Sequence, residues 1–569
     1  MSTPRIVTRS VPQPAFDVLR MSGVHPVLAR VYAARGVNTP QQLDTSFSGL
    51  APADRLKNCV AMAQLLANAI AAGQRLLIVA DYDADGATAC ALGMIALQSL
   101  GAQVEYLVPN RFEYGYGLTP EIVALAAARR PDFLITVDNG IASIDGVEAA
   151  RQLGIGVLIT DHHLPAAQLP GATCIVNPNQ PGCHFPSKNL AGVGVMFYVV
   201  LALRAELRAR GWFDGRDEPN LADLLDLVAL GTVADVVRLD DNNRILVSQG
   251  LKRIRAGRAR PGVAALLRVA GRDPARASAY DLGFVVAPRL NAAGRLTDMS
   301  VGIECLLARD ASRAAELAAQ LDSLNRERRD IEAVMQETAL ALMERIEAAD
   351  AYSLSLYDET WHQGVVGILA ARLRERYNRP VIAFAPGGDG EAKGSGRSIP
   401  GLHLRDALDL VSKRHPGLIL RFGGHAAAAG LTVRSADMAA FENAFEQTVR
   451  ELLTPADLER VIETDGGLDP DDVSLPFAEL LAEQVWGQGF APPSFMGEYE
   501  VVEQRIVGGR HLKLRLRRIA AEPVFDAILF GREAPLPSRV STVYRVQVNE
   551  FNGMRSVQLV LDHWQPGNA

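Results

Sequence analysis

The chain has 569 residues, 48% of them hydrophobic and 22% charged, and a net charge of −7. That length exceeds a single hydrophobic core and implies about three or four domains of ordinary globular composition, while the acidic balance excludes indiscriminate coating of nucleic acid but not a locally basic groove. Five scattered cysteines without metal or disulfide spacing, no leader-type apolar opening, and a best apolar run ("AGVGVMFYVVLAL") shorter than the ~18 residues of a membrane span together predict a soluble cytoplasmic protein with no membrane partner.

Residues 1–70 read as a helical, irregular extension. From 71 to 310, short apolar runs alternate with alanine-rich helical stretches: "RLLIVA" precedes "ATACALGMIALQSLGA", "PDFLITV" precedes "SIDGVEAARQLG", and "IGVLIT" ends at Thr160. Apolar strands alternating with amphipathic helices predict a parallel α/β sheet covered on both faces. Residues 190–250 read as mainly helical. The segment 311–350 has no glycine or proline and reads as one long connecting helix. A second α/β pattern occupies 351–452, with "AYSLSLYD", "GVVGILAARLRERY", "PVIAFAP" and the glycine-rich "GGDGEAKGSGRS". Over 453–569, "YEVVEQRIV", "HLKLRLRRI", "FDAILF", "YRVQVNEF" and "RSVQLVLDHW" have the strand count of a small β-barrel.

The chemistry gathers at the ends of the first three strands. "VADYDADG" carries Asp81, Asp83 and Asp85, "VDNG" carries Asp138, and "TDHH" carries Asp161, His162 and His163. Ligands bind at the carboxyl edge of an open parallel sheet. One such aspartate alone is commonly a helix cap; three successive strand ends are not so easily explained. Asp235, in "LVALGTVADVV", adds a carboxylate within an apolar segment, where it needs a cation or a donor. Mostly carboxylate ligands suit Mg²⁺ or Mn²⁺, and a histidine tilts the choice toward Mn²⁺. Asp81, Asp83, Asp85, Asp138, His162 and Asp235 exceed what one ion requires. Two ions about 3.5–4 Å apart, sharing a carboxylate, suit attack of water on a phosphorus centre. No P-loop spacing and no serine or cysteine triad competes.

"DYDADG", "VDNG", "TDHH" and "GTVADVV" resemble, in order, the motifs of the DHH phosphoesterase superfamily. "PRLNAAGR" (288–295), "WHQGVVGI" (361–368), "SGRSIPG" (395–401) and "RFGGHAAAAG" (421–430) extend the resemblance to its single-strand-specific exonuclease branch, over about residues 70–569. The resemblance implies a DHH catalytic domain, a DHH-associated substrate-binding domain and a C-terminal OB-fold. It implies metal roles for Asp83, Asp85, Asp138, His162 and Asp235, with Asp81 and His163 close by and Asp161 orienting a histidine. Two divalent cations, Mn²⁺ or Mg²⁺, and 5′→3′ digestion of single-stranded DNA in repair and recombination follow from it. So do the expected partners, a single-stranded-DNA-binding protein and a RecQ-type helicase.

Further residues are candidates for holding the strand. Gly424 and His425 suit an anion; a tight turn before an alanine-rich helix is the plain alternative. Ser395, Arg397 and Ser398 offer phosphate donors in what otherwise reads as a loop. Arg111 beside Tyr114 and Tyr116 puts a cation next to stackable rings, although packing explains such tyrosines too. Arg289, Asn291 and Arg295 are expected at the substrate or between domains, on the strength of the resemblance. "LKRIRAGRAR" (251–260) fits a solvated helix face as well as DNA. In "HLKLRLRR", Lys513, Arg515 and Arg517 alternate with leucines, which places cations on one strand face. Such a face on a small barrel suits a phosphate backbone. Three rival readings stand beside the nuclease: a phosphoesterase of short oligoribonucleotides, cyclic dinucleotides or pyrophosphate, a non-catalytic scaffold, and a binding module without chemistry. The barrel opposes the first and the aspartate cluster the other two.

Overall fold

The computed structural model describes residues 4–114, 117–343, 350–519, 523–551 and 553–567. Two compact units divide the chain. One takes Thr8–Asp322 and the segment from Glu463 onward; the other takes Ser323–Ile462 and the segment up to Val7.

In the first unit, the apolar runs form a parallel five-stranded sheet in the order Gln103–Leu107, Arg75–Ala80, Phe133–Val137, Gly156–Thr160, Cys174–Val176. The central strands are apolar at nearly every position because helices cover both faces, so no solvent face imposes a period of two. The two outermost strands carry little strand signal of their own. Gln103–Leu107 has a buried, exposed and half-buried mixture suited to an edge, and Cys174–Val176 is only three residues long. Helices Gly192–Ala209 and Leu225–Ala234 pack on helix Ala84–Ser99, which all but lacks a polar face.

The five C-terminal strands expected from alternation are present and close into a barrel: Phe495–Val507, His511–Arg518, Val524–Leu529, Met554–Pro566 and Arg539–Phe551 in ring order. Within the same unit, the N-terminal segment reaches the start of this region, where buried Asp465 accepts from Arg35 at 2.7 and 3.0 Å. The barrel is tied to the helices by ion pairs Arg276–Glu550 and Arg555–Glu479, the latter at 2.8 Å.

The long helix runs Ala311–Met343; the rest of its expected span lies largely outside the described residues. The second unit holds a mixed sheet, ordered Arg421–Gly424, Ala428–Arg434, Glu391–Arg397, Val381–Gly388, Leu354–Tyr357, with only the last pair parallel. Two local expectations are corrected here. "GSGR" is not a loop but part of a central strand, because its glycines make room: a Cβ on Gly394 would lie 2.5 Å from the Phe384 ring, and one on Gly396 2.7 Å from Leu404. "RFGGHAAAAG" is a hairpin, not a turn into a helix: Ala426 and Ala427 lie in its bend, and Ala428 and Ala429 open the return strand opposite Arg397 and Gly396. No helix among the described residues is long and apolar enough to cross a membrane.

Candidate metal centre

Each ligand candidate on the sheet is presented by a strand that has just ended. Asp81 follows Ala80 and its N–H donates to Val137 O. The chain then turns, and Asp83 caps helix Ala84–Ser99, its Oδ1 accepting from Gly86 N at 2.9 Å. Asp85 lies inside the first turn, where both oxygens are held: Gly192 N donates to Oδ2 at 2.6 Å and Val193 N to Oδ1 at 2.9 Å. These donors open helix Gly192–Ala209, so its positive end faces the carboxylate.

Asp138 leaves the second of these strands with φ of 63°, an uncommon conformation for a non-glycine residue, and its N–H donates to Thr160 O. Asn139 stabilises that turn by donating to Val79 O and Val137 O at 3.2 and 2.9 Å. Asp161 has no capacity left for an ion. Oδ1 accepts from His162 N, His163 N and His163 Nδ1 at 2.7, 3.1 and 2.8 Å, and Oδ2 from Ile141 N at 2.9 Å. It therefore orients the histidine pair. Asp235 caps the end of helix Leu225–Ala234 and comes within 3.4 Å of His162 Nε2.

The result is a tight acidic cluster. Three triads each bring their ligand atoms within 4.8 Å of one another: Asp81–Asp83–Asp138, Asp85–His162–Asp235 and Asp138–His162–His163. Asp138 and His162 are each common to two triads. His162 Nε2 is buried, makes no hydrogen bond, and faces Asp138 Oδ1 at 3.1 Å, Asp235 at 3.4 Å and Asp85 at 3.9 Å. A neutral imidazole nitrogen surrounded by carboxylate oxygens is a ligand set for a divalent cation.

The electrostatics agree. Burial, then the charge of Asp83, push Asp85 up to about 7 despite its two N–H donors. Burial and mutual repulsion raise Asp138 and Asp235 well above the ordinary carboxylate range. Burial and its positive neighbour His163 push His162 down to about 4. For His163 burial acts downward, but its hydrogen bond to Asp161 and the nearby carboxylates outweigh it and hold the ring at about 9. His162 is thus a lone-pair donor at neutral pH, and His163 a cation.

Two supporting residues, Asn177 and Asn179, escape sequence reasoning. Asn177 Nδ2 donates to His163 O at 2.9 Å and Asn179 Nδ2 to His162 O at 2.6 Å. Their signal is the polar "NPNQP" just past the short fifth strand, on the same sheet edge. Gly294 presses on the first motif: a Cβ there would lie 1.9 Å from Tyr82 O. Asn291 Oδ1 accepts from Ala84 N at 2.8 Å, so "PRLNAAGR" buttresses the aspartate turn. Arg289 is engaged by Asp322 at 2.8 Å and by Val285 O, and Arg295 is half-buried on the same helix.

Val236, directly after Asp235, has φ of 59° and is 58% exposed. A β-branched side chain in the left-handed region is strained by about 1–2 kcal/mol. Val236→Asn, which tolerates that conformation, is expected to raise stability by about 1 kcal/mol in thermal or denaturant unfolding; an unchanged midpoint would show that no strain resides there.

The remaining candidates fall into separate places. In the second unit, Arg397 Nη1 donates to Ser395 Oγ at 3.1 Å, and Gly367 of "WHQGVVGI" lies against both side chains. Arg397 sits opposite Ala428 on the strand that follows Gly424 and the exposed His425, so three motifs converge on one sheet. Tyr114 packs on the core of the parallel sheet; the side chain of Arg111 and Tyr116 lie outside the described residues. On the barrel, Leu512, Leu514 and Leu516 are buried and the cations outward, as expected, but Arg517 pairs with Glu500 at 2.8 Å and Arg515 lies 3.9 Å from Glu503. Lys513 stands across from Arg505. In "LKRIRAGRAR", Arg253 pairs with Asp223 and Arg255 donates to Ala277 O, so the stretch is largely structural.

Models of three families match the chain: the DHH family, N-terminal domain, over residues 75–232, the DHHA1 domain over 350–451, and the RecJ OB domain over 464–563. A single-stranded-DNA-specific exonuclease RecJ of Dickeya dadantii (strain 3937) is 52% identical over 99% of this chain and 100% of its own length. The chain belongs to the RecJ family. Crystal structures of RecJ from Thermus thermophilus in complex with Mn²⁺ and with Mg²⁺ superimpose with TM-scores of 0.82 and 0.76 at 30% and 29% identity, each covering 99% of this chain and 80% and 78% of the other. The RecJ fold is therefore present from the parallel sheet to the closed barrel.

Proposed function

We propose that this chain is a single-stranded-DNA-specific 5′→3′ exonuclease that hydrolyses phosphodiester bonds with two divalent cations, Mn²⁺ or Mg²⁺. The observation that carries this reading is the cluster of three ligand triads sharing Asp138 and His162, in a chain so similar to exonucleases of that name. Asp81, Asp83, Asp85, Asp138, His162 and Asp235 would hold the ions, and Asp138, common to two of the triads, is the carboxylate they would share. Such ions, when bound, lower the pKa of an attacking water and stabilise charge on the phosphoryl oxygens. His163, oriented through Nδ1 by Asp161, is the proposed contact to the scissile phosphate. Asp85 is oriented by two backbone donors, Gly192 N and Val193 N. Ser395, Arg397, Gly424 and His425 supply a second anion-binding group, and Lys513 with Arg505 a cationic spot on the barrel. Cytoplasmic DNA repair and recombination, with a single-stranded-DNA-binding protein and a RecQ-type helicase as partners, completes the reading.

The test is digestion of end-labelled single strands with Mn²⁺, Mg²⁺ or chelator, using 5′-phosphorylated, 5′-blocked and duplex DNA beside an Asp138→Ala variant. Metal-dependent loss of the free 5′ single strand, absent in the variant, is expected. Wild-type protein that binds the strand but cuts nothing under either ion would overturn the nuclease reading.

A further inference from the structure

The chain between Asn177 and Val193 touches three residues of the acidic cluster without supplying one. Asn177 and Asn179 donate to the carbonyls of His163 and His162, and Asn177 Oδ1 accepts from Asn179 N at 2.7 Å, so the two amides are locked together. Lys188 Nζ closes the same turn by donating to Pro178 O at 2.6 Å and Cys183 O at 2.8 Å. Farther along, the backbone of Leu190 meets the ring of His162 and favours a proton on the nitrogen it faces. Nε2 makes no hydrogen bond, so that nitrogen is Nδ1, and the lone pair is left on Nε2, toward Asp138. Two residues later, Gly192 N and Val193 N hold Asp85.

What fixes this segment lies on another helix. Asn243, in the first turn of helix Asp241–Arg255, is fully buried. Its Nδ2 donates twice: to Asn189 O at 2.6 Å, next to Leu190, and to Arg238 O at 2.9 Å, just past Asp235. Asp240, which caps the same helix, accepts through Oδ2 from Ser187 Oγ at 2.7 Å and Asn189 Nδ2 at 3.1 Å. One amide thus spans the two segments that aim the His162 ring and follow Asp235. Both run outside helix and strand at these points, so side chains rather than a ladder of backbone bonds set their spacing. The two kinds of ligand respond differently to a lost brace. A carboxylate has two oxygens and tolerates a small shift, whereas a neutral imidazole offers one lone pair in one direction. Mg²⁺ sites are built from oxygens and water, and a nitrogen ligand favours Mn²⁺. Loss of aim at His162 therefore falls mainly on Mn²⁺.

We propose that Asn243 is a positioning residue: by holding Asn189 and Arg238 it aims His162 Nε2, and so tilts the metal centre toward Mn²⁺ over Mg²⁺. This rests on the divalent-cation reading above. Calorimetric titration of the full chain with MnCl₂ and with MgCl₂ gives both affinities without any cleavage. The proteins are wild type, Asn243→Ala, Asn179→Ala and Asn242→Ala. Asn179→Ala, at a half-buried position, removes the bond to His162 O and carries the same test in a variant with less to lose in folding. Asn242→Ala is the matched control: the neighbouring amide is also buried, but it accepts from Ala51 N at 3.1 Å and Tyr198 Oη at 2.9 Å. Mn²⁺ affinity is expected to fall about 10–100-fold in Asn243→Ala and Asn179→Ala, the range typical of groups that orient ligands, and Mg²⁺ affinity much less. The ratio of the two affinities in Asn242→Ala stays that of wild type. Equal losses for both ions, no loss for either, or the same change of ratio in Asn242→Ala would overturn the positioning role while leaving the metal centre intact. Wild type that takes up neither ion would overturn both.

Discussion

Metal-free Asp138→Asn is expected to be more stable than metal-free wild type at pH 7, and at least about 10³-fold less active. The side chain is buried among Asp81, Asp83, Asp85 and Asp235, and burial plus their charges raise its pKa well above the ordinary range. Holding the group in that environment costs folding free energy, and an amide of the same shape, with no charge to bury, removes that cost. The activity loss follows from the proposed role of Asp138 in holding the cations, whose charge stabilisation is worth several kcal/mol. Saturating Mn²⁺ should reverse the stability order, because an ion at about 100 times its dissociation constant adds about 2.7 kcal/mol to a protein that can hold it. Thermal unfolding of both proteins with chelator and with Mn²⁺ checks this; an equal upward shift in both would mean that the ion sits elsewhere.

The same cluster sets a pH dependence. Asp85 titrates at about 7 in the folded chain and near 3.8 as an ordinary carboxylate. Between about pH 4 and 7 the folded state therefore binds more protons than the unfolded state, and metal-free stability falls as pH rises through that window. With Mn²⁺ present the trend inverts, since ligands must lose their protons to bind and metal-derived stability grows with pH. Unfolding midpoints from about pH 4.5 to 8, with and without the ion, should diverge; parallel curves would refute the assignment.

The second large effect is expected at a residue that carries no chemistry. A Cβ on Gly192 would lie 2.6 Å from Asp138 Cβ and 2.7 Å from its Oδ1. Asp138 is fixed by its backbone bond to Thr160 and its left-handed φ, so the helix end must retreat instead. Retreat withdraws Gly192 N and Val193 N from Asp85. Gly192→Ala should therefore cost about 10–100-fold in Mn²⁺ affinity, the range typical of groups that orient ligands, and about 1–3 kcal/mol of stability from overpacking. Gly194→Ala is the control: its nearest neighbour would be the flexible end of Leu190, at 3.2 Å. Calorimetric Mn²⁺ titration of both variants decides, and equal affinities would sink the argument.

The ligand set is legible in the sequence because strand ends in a parallel sheet share one edge, so Asp81, Asp138 and the "DHH" triplet have to meet. Barrel strands are legible for the converse reason: Leu512, Leu514 and Leu516 alternate with cations over a one-sided core. What stays hidden depends on close approach. Gly394 and Gly396 look like loop residues until Phe384 and Leu404 are seen to need their missing side chains. The roles of His162 and His163 differ because Asp161 Oδ1 meets the Nδ1 of His163 and not a ring nitrogen of His162, which no spacing encodes. Likewise no spacing in the sequence shows that Arg289 pairs with Asp322, on a different helix.

The closed barrel also limits who can bind there and how. In an open sheet, an outer strand presents a row of unpaired N–H and C=O groups that a partner peptide can extend by adding a strand of its own. Here each of the five strands has a neighbour on both sides, and the ring ends where it began. A protein that docks on the closed part of the ring must therefore read side chains or loops, and one that works by strand addition has to look to open edges: Gln103–Leu107, Cys174–Val176, Leu354–Tyr357, Arg421–Gly424, the two-stranded ribbon of Arg5–Thr8 and Val461–Thr464, or the tip of the last barrel hairpin, where Arg545–Phe551 and Met554–Gln558 each have a neighbour on one side only.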